Sequence, residues 1–277
     1  MSLIIPEKLP ESIDSAVSNV SAPLTKSIGK TLDSLFDLTF GWINDADTKV
    51  KIKRQLELDQ FEKRAREKCA AIPDDCRKEP DLQIAGQTIQ KSIYCLTHEE
   101  LQELFANLLA SSIDSRKQSS VQPCFADILS QMTPLDAQNI QLFNSNRSLP
   151  LVNITASFES QLKGNYVIVF RNAFLSNKVQ NDLNKQSISI SSLERFGLIR
   201  TDYLVSLSDE SLYSEIENSE VFKQRRNDIA DLLSSNEEYR DAQIKTEHGC
   251  ATLTSLGVAF LNAVTPYDPD ETGPLFA

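Results

Sequence analysis

Residues 97–113 read THEELQELFANLLASSI. Leu101, Leu104, Phe105, Leu108, Ser112 and Ile113 recur three and four apart, the spacing that gathers side chains on one face of an α-helix. Thr97 and Glu100 stand where a capping box would satisfy two orphan backbone N–H groups, so the helix is expected to open at Thr97. Its stripe is a core stripe. Further stretches of the same kind lie on both sides and set the fold class: mostly α, with a small β contribution.

Toward the N-terminus, Glu79-Pro-Asp-Leu82 opens a helix predicted to run to about Tyr94, after a turn at Ile72-Pro-Asp-Asp75. Residues 47–71 predict a long charged helix. Within 49–68 eight basic residues face four acidic ones, a local balance of +4 in a chain whose net charge is −11. From Leu24 to Ile43 the apolar residues Ile28, Leu32, Leu35, Phe36, Phe40 and Ile43 recur at helical spacing, and Leu38 and Trp42 widen the stripe. Lys30, Asp33 and Asp37 interrupt it, which is incompatible with a comfortable membrane span.

Two readings compete for this pair of helices. In one, Phe36, Phe40 and Trp42 rest in lipid headgroups or on a partner, and Lys49, Lys53 and Arg54 face anionic lipid or an acidic surface. In the other, the helices form a hairpin whose apolar stripe packs on the protein's own core, with the charges solvated. The alternation of charge sign along the second helix favours the hairpin.

Toward the C-terminus, Pro123 starts a short helix carrying Phe125, Ile128, Leu129 and Met132. Thr133-Pro-Leu-Asp136 begins another, with proline at its first position. Beyond Asn144 the composition shifts. Asn165–Phe170 (NYVIVF) predicts a buried strand. Ile190, Leu193 and Phe196 predict a short helix closed by Gly197. Gln243–Leu253 predicts a strand or hairpin, and Thr254 caps a last helix. Residues 1–23, with three prolines, are expected to be a flexible arm, and 265–277 a flexible acidic tail.

Composition excludes several activities. The eight glycines are so dispersed that the nearest pair is Gly249 and Gly257, so neither a phosphate-binding loop nor a dinucleotide fingerprint can be written. Five scattered cysteines without a CxxC pair predict reduced thiols in a cytoplasmic protein. Cys95-x-x-His98 is half of a zinc site with no second half, and Asp74, Asp75, Glu79 and Asp81 read as a solvated turn with acids at a helix start. Arg240 and His248 are the nearest approach to a helical ribonuclease pair, with seven residues between them. No catalytic residue, cofactor or metal is therefore assigned. No charged leader with an apolar core opens the sequence.

Two resemblances carry further expectations. SSLERFGLIR (191–200) followed by ATLTSLGVAFLNAV (251–264) resembles the end of a winged-helix fold, with an insertion at about 202–241 where a tight wing would be. Residues 133–264 would form that domain and 24–132 a separate helical one. Over 133–264, 12 basic residues meet 16 acidic ones, a balance that gives little phosphate neutralisation. EPDLQIAGQTIQ (79–90), LQELFANLLASSID (101–114) and FADILSQMTPLDAQNI (125–140) resemble the abortive-infection alpha family of bacterial phage-defence proteins. The chain departs from that family at Gln122 and Cys124, where members more often carry His and Ser. The resemblance implies a non-catalytic anti-phage role through contact with a protein partner, a phage trigger or the inner-membrane surface. The alternative is a winged-helix transcriptional regulator that binds DNA.

Overall fold

Phe105, Leu108, Leu109 and Ile113 have no solvent exposure, and around them the chain builds an all-helical unit. In the computed structural model, residues 26–40, 48–158 and 166–268 are described; side chains 26–27, 38–40, 48–54 and 238 lie outside that description, as do the expected arm 1–23, Trp42 and residues 269–277. The chain divides into two compact units, residues 1–131 with 262–277, and residues 132–261.

The first unit contains α1 (Lys26–Phe40), α2 (Thr48–Ala70), α3 (Leu82–Ser92), α4 (Glu99–Ile113) and α5 (Cys124–Gln131), with 3-10 turns at Asp74–Cys76 and Ser115–Lys117. Helix α4 packs against α2, α3 and α5, and α3 packs against α1. Twelve of its fifteen residues are buried, so it is enclosed rather than amphipathic. Ala106, Ala110, Ser111 and Ser112 are small and buried, which lets neighbours approach the helix closely on more than one side.

The helix starts one residue later than Thr97 predicts. Gln102 N–H donates to the His98 carbonyl at 3.0 Å, which makes His98 the N-cap, and no side chain caps that end. The Gln102 side chain instead donates to the Leu96 carbonyl, fixing the preceding turn. At α3 the expected start holds: the Asp81 carboxylate accepts from Gln83 N–H at 2.9 Å.

The second unit contains α6 (Pro134–Gln141), β1 (Ser148–Ser157), β2 (Tyr166–Ala173), α7 (Leu183–Arg195), β3 (Ile199–Asp202), α8 (Glu210–Asn218), α9 (Glu220–Ser234), β4 (Gln243–Leu253) and α10 (Ser255–Val264), whose last three residues count with the first unit. The sheet is antiparallel in the order β2-β1-β4-β3. Thr133 and Asp136 form the capping box of α6, as the sequence predicts.

Two corrections concern the strands. The central strand β1 is absent from the sequence reading because Pro150 interrupts it. The structure accommodates that proline because β2 pairs with β1 only from Val152 onward, so Pro150 has a partner on one side alone, Cys250 of β4. Strand β2 is an edge rather than a buried strand: Tyr166 and Val167 are half exposed. Two register shifts bulge it, the usual way an open edge is blunted against pairing with another chain. The stretch 202–241, expected as an insertion, contains α8 and α9, whose Tyr213, Ile216, Phe222 and Ile229 join Val152, Ile154 and Ala173 in one core cluster.

Candidate functional site

The sequence singles out six residues on α1, α2 and the stretch between them. Of these, Phe36 is 2% exposed and meets Phe61 edge-on at 6.3 Å between ring centroids, with the Arg66 guanidinium 5.4 Å from its own. Ile28 and Leu32 are buried on the same face. That stripe belongs to the core of the first unit. Trp42 and the side chains of Phe40, Lys49, Lys53 and Arg54 lie outside the described residues.

Three of the four cations in the second half of the basic run are engaged within the unit. Arg64 binds Glu103 at 2.9 Å and Glu99 at 3.1 Å, Lys68 binds Glu103, and Arg66 binds Glu62 at 2.6 Å and Asp33 at 2.7 Å. Burial pushes the Glu103 carboxyl up, but hydrogen bonds and charge from Lys68 and Arg64 outweigh it and hold the group below its ordinary range. A depressed folded-state value means that the stabilisation is complete above the unfolded value and is lost as pH falls through the folded one. Glu103→Gln should therefore lower stability at pH 7 by about 1 kcal/mol, the upper end for a partly exposed pair. The gap to the parent should close below about pH 4; urea midpoints at pH 7 and pH 3 check it.

Next to this ladder, two helix ends converge on buried cations. The last carbonyls of a helix have no intrahelical partners. Arg77 donates from Nε to the Ile72 carbonyl at 2.8 Å and from Nη2 to the Ala70 carbonyl at 2.9 Å, closing α2. Lys117 donates to the carbonyls of Asn262, at 2.7 Å, and Thr265, while Asn107 donates to Val264 at 2.8 Å, closing α10. Arg116 holds the 3% exposed Asp114 through Nε and Nη2 at 2.8 and 2.6 Å, and its guanidinium carbon lies 3.8 Å from the Tyr267 ring centroid. Between these groups lies a cavity of about 290 Å³.

The second unit carries a polar cluster of its own. The His248 ring stacks on Tyr213 at 4.1 Å, with Nε2 3.0 Å from Glu217 and Nδ1 3.5 Å from Glu210. The two carboxylates address opposite nitrogens and so do not converge on one point. Burial pushes the Glu217 carboxyl up, but hydrogen bonds from Thr246 and His248 and the charges of His248 and Arg226 hold it below its ordinary range. Arg240, expected as the ribonuclease partner of His248, pairs instead with Glu237 at 3.9 Å. Asn139, completely buried, donates to both Gln186 and Ser189 at 2.9 Å and accepts from Asn177 at 2.8 Å, tying α6 to α7.

Of the acidic turn, Asp74 pairs with Arg77 and Asp81 caps α3. Among the described residues no group of three His, Cys, Asp or Glu side chains could hold a metal ion. Burial pushes the Cys69 thiol up to about 12 and the Cys95 thiol up to about 11, which leaves both as protonated core groups. No helix among the described residues is long and apolar enough to cross a membrane.

The family model for abortive infection alpha matches residues 53–264, about three quarters of the chain. The chain belongs to that family. The abortive infection alpha match begins inside α2 and ends with the last residue of α10, so it takes in the ion-pair ladder except Asp33, together with Asn107, Lys117 and the whole second unit, and leaves out α1. No curated protein and no solved structure matches the chain. Within this abortive infection alpha protein, the residues that sequence reasoning missed are Asn107, Arg116 and Lys117. Their partners are backbone carbonyls, a next-but-one carboxylate and a ring about 150 residues away, for which no motif exists.

Proposed function

We propose that this protein limits phage infection by an abortive mechanism, and that it does so by contact with a protein or a membrane surface rather than by catalysis. Membership of the abortive infection alpha family carries the reading. The contact face is placed at the junction of α1 and α2, on Phe40, Trp42, Lys49, Lys53 and Arg54. The burial of Phe36 removes that residue from the face and favours a protein partner over an inserted apolar stripe.

The test is a phage challenge of bacteria expressing the chain, at low and high multiplicity. Protection at low multiplicity with collapse of the culture at high multiplicity is expected. Joint reversal of charge at Lys49, Lys53 and Arg54 should abolish protection while leaving the melting temperature within a few degrees. Protection that survives the reversal would remove the contact face. Cosedimentation of the parent with anionic vesicles would move the reading to a lipid surface. A salt-dependent gel shift at nanomolar protein would move it to the DNA-binding alternative.

A further inference from the structure

We propose that α8 is fastened to the sheet by a proton-dependent clamp at His248, which holds in mildly acidic conditions and loosens in mildly alkaline ones. The imidazole stands between two carboxylates of one helix. Its Nε2 lies 3.0 Å from Glu217 and its Nδ1 3.5 Å from Glu210, near the two ends of α8. A neutral ring carries one N–H and one lone pair, so it donates to one carboxylate and turns its lone pair toward the other. The imidazolium has a donor for each. The arrangement is complete only in the charged form.

The ring has little freedom to turn away. It stacks on the fully buried Tyr213, with centroids 4.1 Å apart and planes within 4°. The Tyr213 hydroxyl donates to the Gly249 carbonyl at 3.0 Å and accepts from Leu207 N–H at 2.7 Å, so the stacking partner is itself tied to β4. Of the other groups around the ring, β4 brings Thr246 and Cys250 on the same face, β1 brings Val152 opposite, and β3 brings Asp202 opposite Cys250. From α9, the charge of Arg226 acts on Glu217, and an arginine keeps that charge at every pH in question. Burial pushes the Cys250 thiol and the Tyr213 phenol up, away from neutral pH. Among these side-chain types histidine is the one that changes charge between about pH 5 and 8. A contact made by its charged form alone is present at the lower end of that range and lost toward the upper end. Tyr213 and Ile216 of α8 share a core cluster with Val152 and Ile154, so a loosened α8 uncovers apolar surface on β1.

The test is hydrogen exchange of the α8 amides in the purified full chain at about pH 6 and pH 8, the range of imidazole protonation. Rates are corrected for the intrinsic effect of pH and referenced to α4. Protection of α8 relative to α4 should fall about threefold from the lower pH to the higher, the scale of an exposed ion pair. High salt should shrink the difference. His248→Gln, whose amide keeps its donor and its acceptor at every pH, should abolish the fall. Glu210→Gln, at an exposed position where folding is not at risk, should reduce it. Equal protection of the parent at both pH values, or a fall that Glu210→Gln leaves unchanged, would overturn the proposal.

Discussion

Gly257→Ala is expected to destabilise the second unit by about 3 kcal/mol or more, at the upper end of what overpacking causes. A Cβ built on Gly257 would lie 1.9 Å from the Leu198 carbonyl oxygen and 2.8 Å from its carbon. Both are backbone atoms, so no rotamer change relieves the clash. The carbonyl cannot easily move, because it accepts from Thr254 N–H at 3.0 Å and from the Thr254 hydroxyl at 3.2 Å. That hydroxyl also donates to the Gly197 carbonyl at 2.5 Å and accepts from Gly257 N–H at 3.0 Å. Gly197 itself sits at φ 72°, where any other residue is strained. Gly86→Ala is the control. Its Cβ would meet only Leu35 Cδ2, at an ordinary 3.9 Å, and alanine in a helix interior is favoured by up to about 1 kcal/mol. Denaturant midpoints of the two variants should move in opposite directions. An unchanged midpoint for Gly257→Ala would mean that α10 does not approach the α7–β3 turn so closely.

The same residues show what a sequence can disclose. Gly197-Leu-Ile199 and Leu253-Thr-Ser-Leu-Gly257 are local signals of a helix end and a helix start, and both elements lie where those signals put them. That the two signals lock onto each other across more than fifty residues is not local and was not legible. Helix α7 illustrates a second limit. It was expected as a short helix ending at Phe196, yet it runs from Leu183, because Gln186 and Ser189 occupy core positions. Hydrophobic periodicity counts such residues as surface. Here they are buried because Asn139 supplies their hydrogen bonds, and that partner lies almost fifty residues earlier. Strand β1 was lost for a related reason, since Pro150 is tolerated by the local absence of a second neighbour, a property of the sheet and not of the strand.

Charge divides in the same way. The run of eight basic residues reads as one patch, but three of the four in its second half are paired: Arg64, Arg66 and Lys68 hold α2 to Glu99, Glu103 and Asp33, while Lys63 is exposed. The proposed contact face uses the first half, Lys49 to Arg54. Separating a structural from a functional cation required knowing which acids fold back onto it.

Phe36 allows the sharpest separation of the two roles assigned to this region, because the core and the anchor readings predict different observables for one substitution. Phe36→Glu should unfold the first unit or leave it without cooperative melting. Deleting a buried phenylalanine alone costs about 3–5 kcal/mol, and a carboxylate forced into its place adds an unpaired buried charge. Arg66 already shares its charge between Glu62 and Asp33, so it would compensate such a carboxylate only in part. Phe36→Leu keeps an apolar side chain of smaller volume and should cost far less, about 1–2 kcal/mol, losing mainly the edge-on contact with Phe61. If Phe36 served instead as a surface anchor, the glutamate variant would melt like the parent and lose only its vesicle or partner binding. Circular dichroism melts of the two variants beside the parent decide it. A cooperative, unshifted transition for Phe36→Glu would return the stripe Ile28-Leu32-Phe36 to the surface, and the contact face would then extend along α1. Loss of the transition fixes α1 as part of the folded core and confines the search for a partner to the junction that follows it.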